Sequence, residues 1–106
     1  MDKEKDRAIR MVREFKKNIS RKVTIDKLIF FGSRAEGKGK KNSDIDLLLV
    51  SRDFRGKRYF QRSPIFYQLW GYPLDLDILC LTPEEFKEKQ KQVGVIGTAA
   101  KTGLEI

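Results

Sequence analysis

Leu28-Ile29-Phe30-Phe31-Gly32-Ser33 decides how this chain folds. Four consecutive apolar residues closed by glycine read as a buried strand, covering Val23 to Phe31, that ends in a tight turn. After ten residues that follow Ser33 the chain continues Asp44-Ile45-Asp46-Leu47-Leu48-Leu49-Val50, which starts with alternation and finishes solidly apolar. That is a second strand with an acidic mouth. Leu74-Asp75-Leu76-Asp77-Ile78-Leu79-Cys80-Leu81 repeats the design, with acidic residues first and apolar residues after.

Helical signals separate and flank these strands. Ala8, Val12, Phe15 and Ile19 recur at steps of four, three and four among lysines and arginines, the pattern of an amphipathic helix. Ser33 to Ser43 is polar and glycine-rich, with room for a turn or two of helix before a mobile loop. Phe54 to Trp70 is aromatic-rich and helical over part of its length, with Pro64 at a kink or at the first position of a helix capped by Ser63. Thr82-Pro83-Glu84-Glu85 supplies an N-cap, a first-turn proline and a glutamate three residues past the cap, a capping box that opens a helix at Pro83. The tail predicts a short helix broken by Gly94 and Gly97, a stop at Gly103 and an edge strand over Leu104-Glu105-Ile106.

A length of 106 residues predicts one domain, residues 1–106, since two cores would each be too small to offset their ordering entropy. No apolar run approaches the ~20 residues needed to span a bilayer, and the charged N-terminus lacks a signal peptide's apolar region. The expectation is a cytoplasmic protein with no membrane partner. The single cysteine, Cys80, cannot form an internal disulfide, and without histidine a zinc site is disfavoured. Cys80 reads as a small buried hydrophobe, and any metal must be held by oxygen. A net charge of +8 favours anionic partners without choosing among them.

Period two places Asp44 and Asp46 on one face of their strand, and Asp75 and Asp77 on one face of theirs. If the two strands are neighbours, three or four carboxylates converge at one end of a sheet. A divalent cation resolves such repulsion, and magnesium would complete its shell with water and substrate phosphates. Gly32 permits close backbone approach to a phosphate, and the Ser33 hydroxyl and nearby backbone amides can donate to it. Together they outline a metal–triphosphate cradle to which Arg34, Lys38, Lys40 and Lys41 could add charge. For these three lysines a solvated loop is the competing reading, and Tyr59, Phe60, Phe66, Tyr67 and Trp70, at helical spacing, read as packing rather than a base-stacking platform. An isolated Asp-x-Asp is a weak signal. Gly-Ser, ten residues and Asp-x-Asp together arise by chance in about one such chain per thousand.

Gly32-Ser33-Arg34-Ala35, the ten-residue spacing to Asp44-Ile45-Asp46-Leu47 and a third aspartate on a later strand resemble the minimal nucleotidyltransferases of the polymerase beta superfamily. The resemblance runs from the first helix through Phe86. It implies an α/β fold with a mixed sheet flanked by helices, with Asp44, Asp46 and Asp77 as catalytic residues that bind two Mg2+ ions, and with Gly32, Ser33 and Arg34 at the nucleotide. Asp75 is the alternative third carboxylate. It also implies transfer of AMP from ATP, or of another nucleotide, to a protein hydroxyl. The chain is similar to small antitoxins that inactivate a HEPN-type partner in this way, so a hetero- or homo-oligomer is expected. The alternatives are a catalytically silent antitoxin acting by contact alone and a nucleic-acid-binding domain, the latter unsupported by any base-reading motif.

Overall fold

The computed structural model describes residues 3–37 and 44–106. The first helix, α1, spans Lys3–Ile19 and buries the expected stripe of Ala8, Val12, Phe15 and Ile19. Strand β1 is Lys27–Phe31, shorter at its start than Val23 to Phe31. Val23 is buried, but its amide donates to the carbonyl of Ile19 at 3.1 Å and that of Lys22 donates to the same atom at 2.9 Å. Backbone still closing a helix cannot also join a strand ladder. Strand β2 is Ile45–Val50 and β3 is Leu76–Leu81.

Between β2 and β3 run two 3₁₀ turns, Arg52–Phe54 and Tyr59–Gln61, and the six-residue helix α2, Pro64–Leu69. Pro64 occupies the first turn of α2, where a missing N–H costs nothing. Helix α3, Pro83–Lys89, opens with both bonds of the capping box: Glu85 N donates to Thr82 Oγ1 at 3.1 Å and Thr82 N to Glu85 Oε1 at 2.8 Å. Helix α4 is Val95–Thr102. Gly94 caps it, but Gly97 lies inside it instead of breaking it; that glycine is selected by packing, since a methyl group there would sit 2.1 Å from the Gln92 carbonyl oxygen. Gly103 ends α4 where a Cβ would meet Ile29 Cγ2 at 2.3 Å, so close packing on β1 selects that glycine. The tail then adds the edge strand β4, Leu104–Glu105.

The sheet is mixed, in the order β3-β2-β1-β4, with β2 and β3 parallel and both pairings of β1 antiparallel. Strand parity then builds two cores. Leu28, Phe30, Ile45, Leu47, Leu49, Ile78 and Cys80 pack against α1 and α2, where Phe15 meets Trp70 edge-on at 5.0 Å. Ile29, Leu48, Val50 and Leu81 pack with Phe86 of α3 and Ala99 of α4. The expected α/β architecture with helices on both faces is what the chain adopts. Among the described residues no helix is long and apolar enough to cross a membrane.

Candidate active site

Asp46 belongs to the parity set of Leu48 and Val50, and Asp77 to that of Leu79 and Leu81, so both carboxylates lie on the α3–α4 face. The parallel pairing sets Asp46 directly beside Asp77, one step inside the start of each strand. Here the apolar floor ends, and a cleft of ≈ 530 Å³ opens between the sheet and the α3–α4 turn, lined by Phe31, Asp46, Asp77, Leu79, Lys89 and residues 92–97.

Burial, followed by the charges of Asp77 and Asp44, pushes the Asp46 carboxyl up to about 6. Asp44 is exposed at the end of β2 and reaches the pair through its charge. Asp75 lies just before β3, where its carbonyl accepts from the Ile45 amide at 2.8 Å. Asp77, not Asp75, faces the cleft with Asp46.

Gly32 follows β1, whose last residue, Phe31, pairs with Asp46. Its φ of +86° favours glycine, and a Cβ there would fall 2.2 Å from Asp46 Oδ2. Backbone and carboxylate are therefore in contact with nothing between them. An adjoining hollow of ≈ 410 Å³, lined by Phe31, Gly32, Glu36, Gly94, Val95 and Thr98 among others, continues the cleft along α4. Ser33 is exposed in the turn after Gly32. Arg34 is turned elsewhere. It is 4% exposed, its guanidinium lies 3.5 Å from Glu4 of α1, and it borders a separate hollow with Arg7 and Met11. Lys38, Lys40 and Lys41 lie outside the described residues.

A family model described as "Nucleotidyltransferase domain" matches residues 12–72. The chain belongs to this nucleotidyltransferase family. The match takes in β1, Gly32-Ser33, Asp44 and Asp46 but ends before β3, so the placement of Asp77 rests on the strand pairing. A Methanocaldococcus jannaschii protein described as "putative protein adenylyltransferase" is 31% identical over 100 residues, spanning 92% of this chain and 97% of its own. The crystal structure of a "putative nucleotidyltransferase" from Sulfolobus solfataricus superposes with a TM-score of 0.66 at 22% identity over 80% of this chain and 76% of that one, which shows a common nucleotidyltransferase fold.

Among the described residues no three acidic, histidine or cysteine side chains form a preassembled metal cage. The donor set nevertheless fits a hard cation. Two carboxylates lie side by side, one destabilised by burial and like charge, and neither takes part in an ion pair among the described residues. Magnesium needs only one or two such carboxylates when a substrate supplies phosphate oxygens.

Sequence patterning missed Arg62, which is 6% exposed and donates to Lys57 O at 2.9 Å, to Cys80 O at 3.1 Å and to Glu85 Oε1 at 2.5 Å. An isolated arginine carries no periodic signal. It also read Tyr59, Phe60 and Tyr67 as packing, whereas only Phe66 and Trp70 of that group turn inward.

Proposed function

We propose that this family member transfers AMP from ATP to a hydroxyl of a partner protein, and that this partner is a HEPN-type toxin which the transfer silences. The observation that carries the reading is the contact of the Gly32 backbone with the carboxylate of Asp46, itself paired with Asp77 at the mouth of the cleft. Only a backbone without Cβ lets a triphosphate settle on the turn while its α-phosphate reaches the carboxylates. The description of the Methanocaldococcus jannaschii relative supports protein as the acceptor class.

In this reading Gly32 and Ser33 hold the triphosphate through backbone amides and the Ser33 hydroxyl. Arg34 contributes its backbone to the same turn, since its side chain is engaged at α1. Asp44, Asp46 and Asp77 would hold the Mg2+ ions, which would supply charge stabilisation for the attacking and departing oxygens. Asp77 takes the proton of the acceptor hydroxyl. That oxygen attacks the α-phosphorus in line, and pyrophosphate leaves. Positioning and electrostatics dominate the acceleration, as in phosphoryl transfer generally.

Incubation with α-labelled ATP, Mg2+ and the protein encoded by the adjacent gene tests this. The wild type should label that protein, and Asp46→Asn and Asp77→Asn should not. Equal silencing of the partner by wild type and both variants, with no label transferred, would replace the reading with a contact-only antitoxin.

A further inference from the structure

Six large hydrophobic side chains are exposed among the described residues. Val93 and Val95 belong to the rim of the cleft, but the other four form a group of their own: Tyr59 at 51% exposure, Phe60 at 68%, Ile65 at 42% and Tyr67 at 44%. All fall within nine residues of the segment carrying the second 3₁₀ turn and α2.

That segment runs along the free side of β3, the edge strand that carries Asp77. The carbonyls of Asp75 and Leu81 accept from the amides of Ile45 and Ser51, so the odd-numbered backbone groups of β3 face β2 and the even-numbered ones face outward. The amide of Ile78 donates to the Tyr67 hydroxyl at 3.2 Å, and the Cys80 carbonyl accepts from Arg62 at 3.1 Å. Two of the outward groups of the edge are thus already engaged, and over that stretch a visitor would meet side chains rather than an open strand. Lys57 and Arg58, just before the aromatic group, are exposed and join no ion pair among the described residues.

We infer that Tyr59, Phe60, Ile65 and Tyr67 form the docking surface for the acceptor protein, through a patch on that protein that combines apolar and acidic side chains. The inference rests on the protein-hydroxyl reading above and supplies the acceptor surface for it. Aromatic anchors beside basic groups are the composition of interface hot spots, and the position explains their use. Tyr67 bonds the amide of Ile78, the residue after Asp77, so a partner seated here lies along the outer edge of the strand whose Asp77 carboxylate turns into the cleft, and its hydroxyl would reach that carboxylate around the edge. A second copy of this chain is disfavoured as the occupant, because each copy would bring the same basic group to the contact and a net charge of +8.

The probe is the protein encoded by the adjacent gene, titrated calorimetrically without nucleotide so that chemistry plays no part. Phe60→Ser should raise the dissociation constant at least tenfold while leaving Mg-ATP binding unchanged. Lys57→Glu, a charge reversal remote from the core, should weaken binding and flatten its salt dependence. Asp46→Asn should bind the partner as wild type does. Unchanged affinity in both patch variants, or no binding by the wild type, would overturn the docking surface. Loss of binding in the variants with no label transferred by the wild type would leave docking standing and remove the transfer reading.

Discussion

Gly32 and Asp46 are each shaped by the other. At Gly32 a side chain would meet the carboxylate and would also have to adopt a φ of +86°. Gly32→Ala should therefore cost about 1–3 kcal/mol in stability and reduce label transfer at least a hundredfold, with transfer near the wild-type rate counting against the cradle. Asp46 makes a separate prediction. Burial and the charges of Asp77 and Asp44 push its carboxyl up from 3.8 to about 6 in the folded protein, so between those values the folded chain holds a proton the unfolded chain has released. That raised value makes stability fall as pH rises through the window, and the loss persists above it. Asp26, Glu84 and Glu85, held below their ordinary values by arginine partners, act in the opposite direction. The wild-type minus Asp46→Asn difference isolates the effect. In urea titrations without metal, Asp46→Asn should be the more stable protein at pH 7 by on the order of 1 kcal/mol after solvent screening, and the advantage should vanish near pH 4. Millimolar Mg2+ with ATP should raise the melting temperature of wild type more than that of Asp46→Asn.

At the scale of elements, the outer edge of β3 is held by a clamp. Arg62 ties the carbonyls of Lys57 and Cys80 to Glu85, whose other bond caps α3, so one guanidinium joins the second 3₁₀ turn, the strand and the helix. Removing it leaves Glu85 without its cation and two carbonyls without donors. Arg62→Met should cost about 1–3 kcal/mol, chiefly from the carbonyls left without donors because Glu85 remains partly solvated, measured by chemical denaturation, and a double-mutant cycle with Glu85→Gln should show coupling; an additive cycle would dissolve the clamp. The contrast between this residue and its neighbours shows what patterning can reveal. Thr82-Pro83-Glu84-Glu85 and the Ala8–Ile19 stripe were legible because capping and periodicity are local. The meeting of Gly32 with Asp46 was legible because each lies at the end of a strand and the two strands pair there. Arg62 was not, since its partners lie up to 23 residues away. Exposure of Tyr59, Phe60 and Tyr67 was hidden too, because helical spacing places residues on a face without saying whether another layer covers it.

Across the whole molecule, the sheet divides labour between its faces. The α1–α2 face is closed over a core of Phe15, Phe30, Leu47 and Phe66, while the opposite face is covered by α3 and α4 and leaves the cleft at the carboxylate end. Parity makes this possible: β2 and β3 send their hydrophobic residues both ways but their cleft-facing aspartates only to the open face. Local opening should be easiest where fewest apolar contacts hold a helix, so α4 should exchange its amide hydrogens faster than α1 and the central strands. The cleft wall is formed by residues 92–97 and its floor by Phe31 and Asp46, so a nucleotide bound there bridges α4 to the sheet and must raise the free energy of opening that helix. Hydrogen exchange with and without Mg-ATP should therefore show added protection concentrated in Val95–Thr102 and the turn before it, with α1 little changed. A uniform gain across α1 and α4 would mean that the ligand acts only through global stability. No gain in α4 would place the nucleotide outside the cleft.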